Sequence, residues 1–332
     1  MNKDNDMRRY YFLALNRVSF LTPRERLSLI NIFDDLTDVF NKLSVRDLAS
    51  VLGRKILSKL WKPEQILQLA DKDIKELFSG RINCLFYQDK NYPAQLSEIY
   101  DPPVVLFYRG QMFDNKGTIG IVGTRRPTGK ARKAAYGLGY ELGKLGIYIV
   151  SGLALGIDTE AHKGCVNAGG VTLAVLGCGA DIIYPGSNTK IARQILNTGG
   201  MILSEFPPGT PPLKYNFPCR NRIISGLSDS VVIVQAPGRS GALITADYAL
   251  DQGRELFVHA DGVDDYAGAG TKELVENGAC TIRTYKDLLF GMGYTIPNQD
   301  KMSCTYQAED IGKELAGLME LELSGRIRKR YI

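Results

Sequence analysis

The stretch GTRRPTGKARK, residues 123 to 133, sets Arg125, Arg126, Lys130, Arg132 and Lys133 around a glycine-bearing loop, a composition suited to capturing an anion. It is not a nucleotide-binding P-loop. That pattern needs four residues between its first glycine and a Gly-Lys pair, then a Ser or Thr to ligate magnesium. Here five residues separate Gly123 from Gly129, and Ala131 follows Lys130. The apolar run Thr118 to Val122 reads as a strand. Ala131, Ala135, Leu138, Leu142 and Leu145 then recur at helical spacing, with Thr128 placed to cap the helix start. Lys130, Arg132 and Lys133 fall in its first turn, where the macrodipole is already positive, and a bound phosphate would resolve that conflict. The alternative is a solvated basic face whose long side chains bend away from the helix end. Gly123, Thr124, Arg125, Arg126 and Lys130 are therefore candidate phosphate ligands.

A second cluster lies in LKYNFPCRNR, where Lys214, Tyr215, Phe217, Arg220 and Arg222 occur in a stretch with no acid from Phe206 to Ser228. Guanidinium forks suit phosphate oxygens, and Phe217 or Tyr215 can stack on a base. The competing reading makes Phe217 a core residue and pairs one arginine internally with Glu205 or Asp229. In SGLALGID, Asp158 can cap the next helix, and His162 follows four residues later on the same face. That pair reads as a structural cap with an internally bonded histidine, or as a metal or catalytic pair.

These residues need a scaffold. Residues 1–87 read as a small helical domain with amphipathic runs such as RERLSLINIFDDLTDVF, punctuated by LTP, LSV and WKP. Residues 88–103 are rich in turn formers and read as a connector. From 104 to 291 the runs VVLFY, TIGIV, IYIV, VTLAVL, MILS and VVIVQ alternate with helical stretches and glycine-rich loops. That grammar predicts an α/β fold with a mostly parallel, Rossmann-like sheet. Ligands bind beyond the carboxyl ends of such strands, so GTRRPTG, SGLALGID, GCGADIIYPGSN, SEFPPGTPPLKYNFPCRNR and APGRSGALITA become candidate site walls. The dinucleotide fingerprint is missing from them: GLALG has the wrong spacing, and GCGADI lacks the third glycine. Residues 292–332 form a short tail with one expected helix, 309–323, and the basic end SGRIRKRYI.

The 332 residues carry a formal net charge of +5. Between Asn115 and Tyr140 stand six Lys or Arg and no acid, and Arg326 to Arg330 adds another basic cluster, so phosphate-rich partners fit better than acidic proteins or membranes. Cys84, Cys165, Cys178, Cys219, Cys280 and Cys304 are scattered without a CxxC pair, and there are two histidines. Neither a zinc site nor a disulfide framework is expected, and no cofactor. The start MNKDNDMRRYYF lacks the apolar core of a signal peptide, and no stretch approaches membrane-spanning length, so a cytoplasmic protein is expected.

Taken together, GTRRPT, SGLALGIDTEAH, TLAVLGCGADIIYP, LSEFPPGT, FPCRNRIISGLS and SGALITADYAL resemble, in order and spacing, the DNA-processing protein A family (DprA, also called Smf), and YPAQLSEIYDPPVVLFYRG matches that family's approach to the sheet. The resemblance runs from about Tyr92 to Gly262. It implies an extended Rossmann-like fold that binds single-stranded DNA, protects incoming strands during natural transformation and helps load the RecA recombinase, with no catalytic activity. Carried over by motif position, the phosphate pocket would use Arg125, Ser151, Gly152, Arg220, Asn221 and Arg222, with Ser240 and Gly241 as backbone donors nearby. The family usually has glutamate where Gln235 stands, and VHADG and GTKEL replace its usual VPG turn and GTN start. The N-terminal domain resembles the family's sterile-alpha-motif-like domain, with SFLTP where a glycine hairpin is common. The tail LMELELSGRIRKRYI resembles the second half of a winged helix.

The reading from another class is a nucleotide-processing phosphoribohydrolase on a related scaffold, whose PGGxGTxxE loop APGRSGALITADYA would have to replace. Ala246 and Asp247 stand near the step that needs glutamate. A structural nucleoid protein would fit the charge but not the concentration of glycine loops at one sheet edge. A homodimer is expected through the region 255–290, where Phe257, Val258, Ala267, Ala269, Leu274 and Val275 exceed what an exposed edge needs, unless they complete the domain core.

Overall fold

The computed structural model describes residues 3–113, 117–263 and 267–294. The expected tail helix, its winged-helix resemblance and the basic cluster Arg326–Arg330 lie outside them. The chain divides into two compact units, one taking residues 1–109 with 176–182 and 203–216, the other residues 110–175, 183–202 and 217 onward.

The first unit opens with helices α1 (Lys3–Arg17), α2 (Pro23–Ile32), α3 (Thr37–Asn41), α4 (Val45–Leu52) and α5 (Pro63–Phe78). Each punctuation mark in the sequence has a local cause. In LTP, Thr22 accepts from Glu25 N, Glu25 reaches back to the Thr22 N–H, and Pro23 takes the first helical position. In LSV, Ser44 and Asp47 make the same capping box. In WKP, Pro63 opens α5. The run RERLSLINIFDDLTDVF is broken between Ile32 and Thr37 rather than continuous. Phe12, Leu13, Leu15, Leu29, Val39 and Leu48 fill the core. Strands β1 (Asn83–Phe86) and β2 (Val105–Gly110), with α6 (Ala94–Ser97) between them, form an antiparallel pair running from Asn83↔Tyr108 to Phe86↔Val105.

The chain then continues through β3 (Thr118–Val122), α7 (Gly129–Lys144), β4 (Tyr148–Ser151), α8 (Ile157–Asn167), β5 (Thr172–Val175), α9 (Thr189–Asn197), β6 (Met201–Ser204), α10 (Asn216–Gly226), β7 (Ser230–Ile233), α11 (Gly241–Asp251), β8 (Glu255–His259), α12 (Ala269–Glu276), β9 (Cys280–Ile282) and α13 (Tyr285–Gly291). Within the second unit the parallel strands run β5-β4-β3-β7-β8-β9. Strands β3, β4, β5 and β7 are buried along their whole length, which is why their sequences read as unbroken apolar runs. From β3 the chain builds outward through β4 and β5, and later returns to β3's other side with β7. In such sheets ligands bind beyond the carboxyl ends of the strands, where the loops after β3, β4 and β5 lie together.

Thr128 caps α7 as its position predicts, accepting from Ala131 N. Ala131, Ala135, Leu138 and Leu142 are buried in the core, while Lys130, Arg132 and Lys133 point to solvent. α7 lies directly on α8, because a Cβ on Gly139 would stand 2.2 Å from the Ala161 carbonyl oxygen, so only glycine permits this approach. Phe257 and Val258, expected at a dimer edge, are instead buried, Phe257 within this unit's core. At the sheet edge itself stands β9, with Cys280 and Thr281 exposed.

Candidate nucleic-acid interface

Three loops and the start of α10 build a pocket at the carboxyl ends of these strands, lined by Arg125, Gly152, Ala154, Leu155, Tyr184, Pro185, Phe217 and Arg220. Arg125 supplies its exposed cation. Its guanidinium carbon lies 5.6 Å from the centre of the Phe217 ring, and among the described residues the guanidinium has no hydrogen-bond acceptor. Tyr184 sits against Phe217 with ring centres 5.7 Å apart and remains 43% exposed. A cation beside two accessible aromatic faces can take a phosphate and a flat ring together.

The loop carrying Arg125 is fastened on both flanks. Thr124 N donates to Gln235 O at 2.7 Å, and Thr124 O accepts from Ile157 N at 3.2 Å. Gln235, fully buried, also reaches across with its side chain: Oε1 accepts from Thr128 N at 2.9 Å, and Nε2 donates to Thr128 Oγ1 at 3.3 Å. Gln235, which stands where the resemblance places a glutamate, is thus the brace of the loop. One residue on, Ala236 O accepts from Gly270 N and Thr271 N at the start of α12, at 2.9 and 3.1 Å.

The other expected site residues divide by burial. Gly123 and Thr124 form the base of the loop, and Arg126 and Lys130 extend its exposed basic edge. Arg220 lines the pocket but is itself buried, with Nη1 donating to Gly152 O at 2.6 Å and to Val175 O. Asn221 accepts from Arg220 Nε at 3.1 Å and donates to Gly241 O at 3.1 Å, so it ties α10 to the start of α11, where Ser240 is the N-cap. Ser151 is fully buried, its hydroxyl spent on Ile121 O at 2.6 Å, and Gly152 N is taken by Asp158 Oδ2 at 3.1 Å. Arg222 is only 1% exposed and donates to Cys219 O at 3.0 Å. Its side chain lies in the interior, away from the pocket mouth, because two residues along a helix turn a side chain by about 200° relative to Arg220. Lys214 is exposed and belongs to the first unit.

Asp158 does not cap α8 with its side chain. It holds the preceding turn, accepting from Gly152 N and Ala154 N. Burial pushes its carboxyl up, and the nearby Arg220 guanidinium pulls it back down. The turn also contains Leu153, buried with φ at +55°, a strained backbone for a side chain of this size. Asn188 holds it there, donating to Leu153 O and to Thr159 Oγ1, each at 2.8 Å. His162 is bonded not to Asp158 but to Thr172, with Nδ1 and Oγ1 2.7 Å apart. Thr172 Oγ1 gives its own hydrogen to Ile149 O, so Nδ1 carries the imidazole proton. Burial, and then the charge of Arg220, push the His162 pKa down to about 3. The His162 ring is fully buried and is not among the residues that line the pocket.

Tyr184, Pro185, Ala154 and Leu155 were not singled out from sequence. Tyr184 carried a usable signal, an aromatic residue before proline in a loop after a parallel strand. Among the described residues no group of three or more His, Cys, Asp or Glu could hold a metal ion, and no helix is long and apolar enough to cross a membrane.

Residues 83–292 match the family model described as DNA recombination-mediator protein A. The Smf protein of Synechocystis is 44% identical over 218 residues, covering 64% of this chain and 54% of the relative, so the chain spans about half that protein's length. The X-ray structure of DNA processing protein A from Streptococcus pneumoniae superposes with a TM-score of 0.68 at 32% identity, over 85% of this chain and 97% of that one. DNA processing protein A from Helicobacter pylori, described for its single-stranded DNA binding mode, gives a TM-score of 0.56 at 33% identity, over 64% of this chain and 95% of that one.

Proposed function

The chain belongs to the DNA recombination-mediator protein A family, and from that premise we propose that it is a single-stranded DNA-binding protein whose second unit captures the strand at the Arg125 pocket. The observation that carries this reading is the exposed Arg125 guanidinium beside Phe217 and Tyr184. Arg125, Arg126 and Lys130 attract the phosphates, and the two rings take one base without reading its edge. Arg220, Asn221, Ser151, Gly152, Ser240 and Gly241 act mainly by fixing the walls.

In this reading the protein shields incoming strands during natural transformation in the cytoplasm and hands them to RecA. It acts as a homodimer paired through the β9 edge, which among the described residues is hydrogen-bonded on one side only, to β8. It works by binding rather than by turnover. The buried His162 supports this, since a catalytic base must reach the proton it removes.

The test is a titration with oligothymidylate and with a matched duplex at several salt concentrations. Single strands should bind more tightly, with affinity falling steeply as salt rises. Arg125→Ala should weaken binding across all sequences and lower the salt slope by about one phosphate contact. A duplex preference, or an Arg125→Ala variant with unchanged affinity and slope, rejects the pocket. Base released from nucleoside monophosphates by repurified protein, but not by Arg125→Ala, would favour the hydrolase reading instead. Light scattering across a dilution series reads the dimer directly, and a monomer throughout rejects it.

A further inference from the structure

Beyond the pocket, α7 carries a feature that the site does not use. Arg132, Tyr136, Tyr140 and Lys144 follow one another at four-residue spacing and so lie along one side of the helix, over about 18 Å at 1.5 Å per residue. The two tyrosine rings are nearly parallel, with centres 6.2 Å apart and planes 13° apart. Lys144 Nζ stands 5.2 Å from the Tyr140 ring centre, and Asn167 Nδ2 donates to the Tyr136 hydroxyl at 3.0 Å. Both rings are half-buried and held in place before any ligand arrives. Arg132 is 56% exposed and Lys144 is exposed.

This side of α7 begins immediately after the Arg125 loop. Its charge is mostly positive: Arg132, Lys133 and Lys144 on α7 and Lys163 on α8 stand against Glu160, which is engaged by Lys163 at 3.0 Å and Arg132 at 3.8 Å. A pair of aromatic faces flanked by cations, continuous with the Arg125 loop, matches the chemistry of an extended polyanion with flat rings.

We propose that this side of α7 is a second segment of the single-stranded nucleic-acid path, with bases stacking on Tyr136 and Tyr140 and phosphates passing Arg132 and Lys144. The proposal rests on the pocket reading for the direction of the strand, and its test separates the two. Oligothymidylates of about 6 and about 20 nucleotides are titrated against the full chain, the shorter filling the pocket alone and the longer reaching α7. The Tyr136→Ala/Tyr140→Ala variant should lose about tenfold or more in affinity for the long strand and keep its affinity for the short one. Lys144→Ala should weaken the long strand only and lower its salt slope. In Tyr140→Trp, emission should be quenched by the long strand and not the short. Wild-type protein serves as the blank, because Trp61 is buried at 8% exposure in the first unit.

Unchanged long-strand affinity in the double tyrosine variant, without quenching in Tyr140→Trp, overturns the proposal and leaves the pocket standing. Equal loss at both lengths also overturns it, because the tyrosines would then belong to the pocket. Retained affinity at both lengths with an altered oligomeric mass assigns the strip to a protein contact and overturns it as well. A wild-type chain that ignores the short strand but binds the long one, with loss in the tyrosine variant, rejects the pocket and upholds the α7 path. Binding of neither strand rejects both.

Discussion

Gly152 O accepts a hydrogen bond from Arg220 Nη1 at 2.6 Å, while a Cβ on the same glycine would stand 2.5 Å from Arg220 Nη2. One residue thus supplies both the anchor for the guanidinium and the space it occupies. Gly152→Ala should push Arg220 out of its seat, costing about 1–3 kcal/mol of stability as an overpacked site and weakening oligothymidylate binding. Urea unfolding and the strand titration check the two effects. A variant with wild-type stability and affinity would show that the guanidinium has room to move aside.

Arg125 and Arg222 should behave oppositely. Arg125→Ala leaves the core untouched and should change stability by less than about 0.5 kcal/mol while weakening strand binding. Arg222→Ala removes a side chain 1% exposed that donates to Cys219 O, and should cost roughly 2–4 kcal/mol. Thermal unfolding separates them, with the large drop in melting temperature confined to Arg222→Ala.

Gln235→Ala should loosen the loop that presents Arg125. It deletes the acceptor for Thr128 N and the donor to Thr128 Oγ1, a loss of about 1–2 kcal/mol. Hydrogen exchange across residues 123–130 should speed up, and strand affinity should fall although Gln235 lies outside the pocket lining. Unchanged exchange would mean that the bond from Thr124 N to Gln235 O suffices.

His162 should make the fold acid-sensitive in a defined direction. Its pKa is pushed down to about 3 in the folded chain, against about 6.5 when unfolded. The unfolded state therefore binds the extra proton first. The stability contributed by the neutral ring is fully present above about pH 6.5 and is lost as pH falls below it, by about 2 kcal/mol on reaching pH 5. His259, also lowered by burial, adds to the same trend, whereas Asp158, raised by burial, opposes it. The difference between wild type and His162→Gln isolates the ring. Urea unfolding at pH 7 and pH 5 should show the smaller acid loss in the variant, and parallel losses would refute the assignment.

Much of the scaffold could be read from the sequence because strands buried on both faces are written as continuous apolar runs; β3, β4, β5 and β7 were found this way. Strand β8 was not named, since it follows α11 after only the tight turn at Gly253, and its apolar residues merge with the helix pattern. Strand β9 has three residues, two of them exposed, and leaves no pattern to find. At the site, Arg125 and Phe217 were legible by type and loop position. The inward turn of Arg222 was not, because reading FPCRNR as a basic cluster omits the helix that sends Arg220 and Arg222 in different directions. The Gln235 brace depends on a side chain crossing between loops 107 residues apart, which no local spacing records.

The fastening of Thr124 also has a mechanical meaning. A pull on Arg125 is shared among the bond from Thr124 N to the Gln235 carbonyl, the bond from Ile157 N to the Thr124 carbonyl and the Gln235 side chain on Thr128. Gln235 carries one part of that load through the adjoining Ala236 carbonyl toward the first amides of α12, the helix that leads into edge strand β9, and Ile157 carries another into the start of α8. The loop is thereby moored to the starts of two helices through main-chain amides and carbonyls, independent of which side chains stand beside them.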